Sequence, residues 1–355
     1  MIFKKLVFTG GGTAGHVTPN LALMDAVRER GWEVCYLGSA TGIEREMVVK
    51  AGVSFHPVAS GKLRRYFSWR NFIDPFHIIV GVFQAYILLG RLRPDLVFSK
   101  GGFVAVPVVV SAWLRKIPVI SHESDVTPGL ANRLCYRFCR RICVTFKPTL
   151  KLLPAAKVVF TGTPVRSGIL NGNALRGRRF LDFDDSKPTL LVFGGSLGSA
   201  AINRSVRHVL PELLARFQVI HIVGRDNIDL SFDYEGYRQK EFIGKEFGDV
   251  LAAASVVVSR AGANSLYELL VTRKPHLLIP LTLAASRGDQ LANAKSAKAA
   301  GFSEVLSEDS LDDRSLLEAV VELQEQSSAV VERLSKFPIH DSVDLIICEI
   351  ERITT

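Results

Sequence analysis

"LVFTGGGTAGHVTPNLAL", Leu6 to Leu23, sets four glycines and a histidine between an apolar strand-like run and a helical pattern. Glycine costs more backbone entropy than alanine wherever ordinary dihedrals suffice. The cluster therefore points to unusual φ/ψ or to a ligand held close to the backbone, the alternative being a generous turn. Strand, glycine loop and helix open a βαβ unit whose free N–H groups point at whatever lies above the sheet's carboxyl edge. A phosphate or a sugar hydroxyl suits that place.

The same alternation runs outward along the chain. "EVCYLGS", "DLVFSKGG", "IPVISHES" and "ICVTF" follow as strand-like runs in the first half, with amphipathic or apolar helical patterns between them. "TLLVFGG", "FQVIHIVG", "KEFIG", "VVVSRAGA" and "PHLLIPLT" repeat the pattern in the second half, several as continuous apolar runs. This is the signature of parallel sheets covered on both faces. "FTGGGTAG" (Phe8 to Gly15) is echoed by "FGGSLGS" (Phe193 to Ser199). With 355 residues available, the expectation is two doubly wound domains, each with its own core. The join is expected in "VVFTGTPVRSG", Val158 to Gly168, where Gly and Pro interrupt the periodicity, and residues 171–188 read as surface connection. The terminal "SVDLIICEIERI" reads as a helix that packs back on the first domain.

Hydrophobic residues make up 48% and charged ones 22%, a composition that buries enough surface to exclude a disordered chain. Five cysteines, an odd number, argue against a disulfide framework, and no second pair or nearby histidine completes a zinc set around "CYRFCRRIC". The three cysteines of that run are read as buried small hydrophobes. "MIFKKLVF" runs straight into strand pattern without a signal peptide's apolar core, so a cytoplasmic protein is expected. The apolar runs Ile78 to Gly90 and Phe103 to Leu114 fall short of the roughly 20 residues a spanning helix needs. A net charge of +9 implies an acidic partner: nucleic acid, anionic lipid or a phosphorylated small molecule.

A dinucleotide site wants an acidic residue at the tip of the second strand, and "CYLGSATG" (Cys35 to Gly42) has none. A P-loop needs Gly-Lys-Ser/Thr, which "GGGTAGHV" lacks. Both chemistries are disfavoured. His16 closes the loop, where an imidazole either serves the structure or takes a proton from a hydroxyl. "GGSLGSAAIN" adds Ser196 and Asn203 to a second helix start. "SRAGANSLYELL" adds a third, with Glu268 about one turn inside, a carboxylate suited to a ribose diol or simply a solvated acid near the helix dipole. Asp289 and Gln290 begin another helix and read as sugar-hydroxyl ligands or as caps. "DFDD", Asp182 to Asp185, formally matches a metal-binding Asp-x-Asp pair but reads as a solvated surface run, so no metal site is expected.

Six motifs in order, the His16 loop, "SKGGFVAVP" (Ser99 to Pro107), "HESDVTPGLANR" (His122 to Arg133), "GGSLGSAAIN", "SRAGANSLYE" and "SRGDQLANA", are together similar to the MurG family of peptidoglycan glycosyltransferases, over essentially the whole chain. Those enzymes move N-acetylglucosamine from UDP-GlcNAc to lipid I, the undecaprenyl-linked muramyl pentapeptide. The resemblance implies a GT-B architecture, two Rossmann-like doubly wound domains facing a cleft. Residues 1–163 with a returning helix at 338–355 would take the acceptor and face the membrane, and 164–337 would bind the donor. On the donor side it implies Ser196 and Arg166 at the diphosphate, Glu268 at the ribose, the Ile243 backbone at the uracil and Gln290 at the GlcNAc hydroxyls, with Asn203, Ala263, Asn264, Ser265 and Asp289 beside them. On the acceptor side it implies Thr13, Ala14, Gly15, Lys100, Gly101, Gly102, Phe103, Glu123, Ser124 and Asp125. Many members have glycine at the position of Ala14 and "HEQN" where this chain has "HESD", which loosens the carry-over at Ser124 and Asp125.

The reaction so implied inverts the anomeric centre, with the 4-hydroxyl of the muramyl sugar attacking C1 and UDP departing without a cofactor. His16 is the candidate base. The helix start behind "GGSLGS" with Arg166 would stabilise the departing diphosphate. The basic and aromatic segment holding Arg64, Arg65, Phe67, Trp69, Arg70 and Phe72 suits an anionic leaflet, or else is a basic loop before a buried helix. The expected place is the cytoplasmic face of the cell membrane, as a peripheral protein. Rivals of the same architecture are a UDP-GlcNAc 2-epimerase and a diacylglycerol glycosyltransferase. A nucleic-acid-binding protein lacks any recognised module here.

Overall fold

The computed structural model describes residues 4–61, 70–195 and 197–354. The chain divides into two compact units, one of Met1–Val165 with His340–Thr355 and one of Arg166–Ile339.

In the first unit β1 (Lys5–Thr9), β2 (Glu33–Gly38), β3 (Ser54–Pro57), β4 (Leu96–Ser99), β5 (Val119–Glu123), β6 (Arg141–Val144) and β7 (Val158–Phe160) form an all-parallel sheet in the order β3-β2-β1-β4-β5-β6-β7. Helices α1 (Ala14–Glu29), α2 (Ile43–Lys50), α3 (Arg70–Leu92), α4 (Ala105–Leu114) and α5 (Leu130–Cys135) cover it. Successive strand residues point to opposite faces, and both faces are buried: Leu6 and Phe8 meet Leu23, Met24 and Phe98 on one side, while Val7 meets Leu37, Leu89, Val97 and Val108 on the other. That is why these strands read as unbroken apolar runs.

In the second unit α6 (Ser167–Leu170) and α7 (Ala174–Leu181) precede a second parallel sheet. Its strands are β8 (Thr189–Phe193), β9 (Gln218–Ile222), β10 (Tyr237–Lys240), β11 (Val256–Ser259), β12 (His276–Leu278) and β13 (Glu304–Val305), in the order β10-β9-β8-β11-β12-β13. The helices between and after them are α8 (Ala200–His208), α9 (Leu210–Arg216), α10 (Phe247–Ala253), α11 (Ala263–Val271), α12 (Asp289–Ala299), α13 (Asp313–Glu325) and α14 (Ser327–Ser335). The last helix, α15 (Ser342–Thr354), belongs to the first unit, where Ile346, Ile347 and Ile350 are buried in the core around Leu6 and Phe8.

Several local readings are corrected. The Val158 to Gly168 stretch, within which the two units divide, also holds β7, a three-residue edge strand too short and too exposed to show a period. Residues 171–188 are more than surface connection: α7 lies against α10 so closely that a Cβ on Gly177 would stand 2.1 Å from the Asp249 carbonyl oxygen. In the "KEFIG" region the strand is Tyr237–Lys240, ending where that reading began. Cys35, Cys135, Cys139 and Cys143 are buried, but Cys348 is exposed on the outer side of α15. The acidic run at Asp182 to Asp185 is surface, as expected, and Asp182 pairs with Arg238 and Asp185 with Arg178.

Candidate active site

In each sheet the strand order reverses beside the first strand of the unit, between β1 and β4 and again between β8 and β11. Loops at such a switch point splay apart and leave a crevice at the carboxyl edge. The motifs singled out in the sequence fall at these two edges.

At the first edge the β1 loop carries Gly10, Gly11 and Gly12 into α1. The glycines are explained in part by the protein itself. Glu44, buried under the loop at the start of α2, accepts hydrogen bonds from Gly12 N (3.2 Å), Ser39 N (3.1 Å) and Ser39 Oγ (2.6 Å), and a Cβ on Gly11 would lie 2.5 Å from its carboxylate. The loop is therefore braced from below by an internal anion that sequence reading missed. No short motif marks Glu44, since it stands in the first turn of a separate helix. The β4 loop stacks on the β1 loop: Gly102 adopts φ +82°, and a Cβ there would approach the Gly11 carbonyl oxygen to 2.4 Å. Thr13 is the N-cap of α1, and its Oγ1 lies 3.1 Å from Nδ1 of His16 in the first turn.

Neighbouring residues at the end of β5 point to opposite sides and build two polar networks. Glu123 is buried and accepts from Asp125 N (3.2 Å), Gly129 N (3.0 Å), Asn132 Nδ2 (2.9 Å) and the Tyr136 hydroxyl (2.8 Å). Its carboxylate thus serves to hold the β5–α5 turn. His122 donates from Nε2 to the Gly162 carbonyl (2.8 Å), so its Nδ1 carries a lone pair and accepts from Lys100 Nζ (2.6 Å). Lys100 also donates to Ser124 Oγ (2.7 Å) and Thr163 Oγ1 (3.1 Å). Burial lowers the Lys100 amine to about 7 and pushes the His122 imidazole well below its ordinary value, with the neighbouring ammonium adding to the second shift. Phe103 and Asp125 are partly buried at the same edge.

At the second edge the β8 loop leads into α8, capped by Ser199, whose Oγ accepts from Ile202 N (3.3 Å) and from the Arg260 guanidinium (2.6 Å). Arg260 is buried and also reaches the Ile279 carbonyl (3.1 Å) and Glu308 (2.5 Å), tying the ends of β8, β11 and β12 together. It is a second organising residue that the sequence reading passed over, although it sits inside a quoted motif. Asn203 is turned inward: its amide donates to the Val223 carbonyl (2.9 Å) and its oxygen meets His221 Nε2 (3.0 Å). Ala263, Asn264 and Ser265 form the first turn of α11 behind Gly262, a cap residue without a side chain. Glu268 lies mid-helix and partly buried, so it is no solvated first-turn acid. Burial raises its carboxyl to about 7, with Arg166 opposing the rise, and Arg166 Nε is itself buried without a hydrogen-bond partner among the described residues. Ile243 is buried in the loop after β10, and Gln290 accepts from Leu281 N (3.1 Å) at the start of α12. Gly288, not Asp289, is the cap of that helix, and Asp289 stands 3.8 Å from Arg287.

Ser196, Arg64, Arg65, Phe67 and Trp69 lie outside the described residues. Arg70 and Phe72 open α3, which continues with Phe76, Ile79, Val80, Phe83 and Tyr86 exposed on one stripe at helical spacing, Phe76 and Phe83 by 69% and 67%. No helix among the described residues is long and apolar enough to cross a membrane.

Two Rossmann-like units in one chain, each an all-parallel sheet with glycine-bearing loops at its switch point, make the architecture of the GT-B glycosyltransferases. The chain belongs to glycosyltransferase family 28, whose N-terminal domain matches residues 6–144 and whose C-terminal domain matches residues 189–346. It is 50% identical over 341 residues, 96% of each chain, to the UDP-N-acetylglucosamine--N-acetylmuramyl-(pentapeptide) pyrophosphoryl-undecaprenol N-acetylglucosamine transferase of Clostridium botulinum. A protein of the same name from Lachnoclostridium phytofermentans is 50% identical over 351 residues, 99% of each chain. Among solved structures, MurG of Acinetobacter baumannii superposes with a TM-score of 0.79 at 22% identity, covering 98% of this chain and 99% of its own.

Proposed function

We propose that this glycosyltransferase moves GlcNAc from UDP-GlcNAc to the 4-hydroxyl of the muramyl sugar on an undecaprenyl pyrophosphate carrier, with inversion at C1. The observation that carries the reading is the pairing of near-full-length relatives of that activity with a partly buried carboxylate, Glu268, set beside Arg166 behind the uncapped start of α11. A partly buried carboxyl of this kind, once ionised, accepts from both hydroxyls of a ribose diol, and Arg166 with the N–H groups of the helix starts offsets the charge of a departing diphosphate. The acceptor belongs with the first unit. His16 takes the proton of the attacking hydroxyl on Nε2, which requires its Nδ1–H to donate to Thr13 Oγ1. The exposed stripe of α3, preceded by Arg64, Arg65 and Arg70, rests on the anionic leaflet that carries the lipid substrate, at the cytoplasmic face.

The test is incubation of the purified protein with labelled UDP-GlcNAc and a lipid I analogue in the presence of chelator. The expected product is a lipid-linked disaccharide. Release of ManNAc, or transfer to diacylglycerol alone, would replace this reading with another activity of the same architecture.

A further inference from the structure

Lys100 is 1% exposed, so its ammonium cannot touch a ligand above the loop. Its hydrogen-bond partners are His122 Nδ1, Ser124 Oγ and Thr163 Oγ1, all neutral, while the nearby carboxylates of Glu123 and Asp125 favour its charge without bonding it. Burying an amine in this way is expensive, whether it is charged or is driven towards neutrality, and a methionine of similar length would fill the space at less cost, so stability does not account for the amine. Its acceptors account for it better. They stand at and just after the carboxyl end of β5 and just beyond β7, while Lys100 directly follows β4 and its N–H bonds the Thr9 carbonyl of β1. The His122 ring extends the link through Nε2 to Gly162. The next two residues of the chain, Gly101 and Gly102, adopt φ +93° and +82° and form the loop that lies on Gly11. Glycines in that region have little stiffness of their own, so the shape of the loop depends on what anchors its start.

We propose that Lys100 is a positioning residue for the acceptor side, fastening the ends of β4, β5 and β7 into one edge on which the Gly101–Gly102 loop is held in its binding shape. The inference rests on the reading above that this edge receives the lipid-linked sugar. Lys100→Met removes every donor while keeping the length. The loop then loosens, and since a displacement of about 1 Å at a binding loop can cost up to about a hundredfold, the acceptor KM rises about tenfold or more while the donor KM stays within about twofold.

Two measurements test this. In the wild type and in Lys100→Met, amide hydrogen exchange is followed for residues 100–104, and KM is measured separately for the lipid I analogue and for UDP-GlcNAc. Faster exchange confined to those residues and to 122–126, with the acceptor KM alone displaced, is the expected result. Exchange unchanged at 100–104 overturns the fastening role whatever the substrate proves to be. Faster exchange with both KM values moving together, or with neither moving, overturns the acceptor-side role. Should Lys100→Met fail to fold, Ser124→Ala and Thr163→Val each remove one acceptor and leave the ammonium in place. Both are expected to raise the acceptor KM, and a wild-type acceptor KM in both overturns the proposal.

Discussion

If the ribose hydroxyls donate to the carboxylate of Glu268, donor binding needs that group ionised, and its titration lies within an accessible range. Burial holds the carboxyl at about 7, against an ordinary value of 4.5. The folded apo protein therefore carries a proton there below pH 7, and the proton must leave for the donor to bind. UDP-GlcNAc is a diphosphate diester with no titration of its own in this window. If the ionised form alone binds, Kd rises about 25-fold between pH 7.5 and pH 5.5 for a group at about 7, approaching tenfold per unit only well below 7. Calorimetric titration of UDP-GlcNAc at fixed ionic strength measures this directly. Glu268→Gln has no proton to lose, so its profile is flat, and at pH 7.5 it binds weaker by about 1.5–3 kcal/mol, the worth of hydrogen bonds to a charged partner. A flat wild-type profile, or a slope surviving in Glu268→Gln, would refute the ribose assignment. The sign for stability is the reverse: a carboxyl raised in the fold destabilises as pH climbs from 4.5 through 7, and Glu268→Gln removes that loss.

His16→Ala is expected to lower kcat by about 100-fold or more while leaving the UDP-GlcNAc Kd near wild type, and wild-type turnover would remove His16 from the chemistry. Glu44→Gln sets an amide NH2 against donors it cannot accept from, costing about 2–3 kcal/mol. Its thermal midpoint should fall by about 5–10 °C, and an unchanged midpoint would show that the glycine loop does not need its brace. Replacing Ile79 and Phe83 by serine removes apolar groups worth up to about 2 kcal/mol each at an interface, so binding to phosphatidylglycerol vesicles should drop at least about tenfold. Retained binding would place the membrane contact elsewhere.

The sequence makes the βαβ order legible because parallel strands buried on both faces are apolar along their middle, as β1, β4, β8 and β11 are, with polar residues only at their ends. The edge strands β3, β7 and β13 are short and half-exposed, and no period betrays them. The loop with Gly101 and the loops that lead into the helices of His16 and Glu268 are found by their glycines and their position after a strand. What hides is how polar side chains divide between ligand and protein. Asn203 sits in a motif at a helix start and looks available, yet its amide is consumed by Val223 and His221. Glu123 is likewise consumed by the turn that follows it. Glu44 and Arg260 do the opposite, shaping the loops from positions where nothing local distinguishes them, because their partners lie in other elements brought near only by the fold. Lys100 is visible as a residue beside two glycines. Its burial, and so its indirect role, becomes visible only once β5 and β7 flank it.

The return of α15 to the first unit also bears on synthesis. Ile346, Ile347 and Ile350 complete a core begun by Leu6 and Phe8, and Lys4 bonds Thr354 at 2.6 Å, so the opening strands wait on residues that leave the ribosome after the whole of Arg166–Ile339. The later unit can close on its own while the earlier one still lacks a wall. Nascent chains halted before residue 342 should therefore resist protease across the second sheet and be cut within the first, an inversion of the usual order in which the amino-terminal portion settles before the rest emerges.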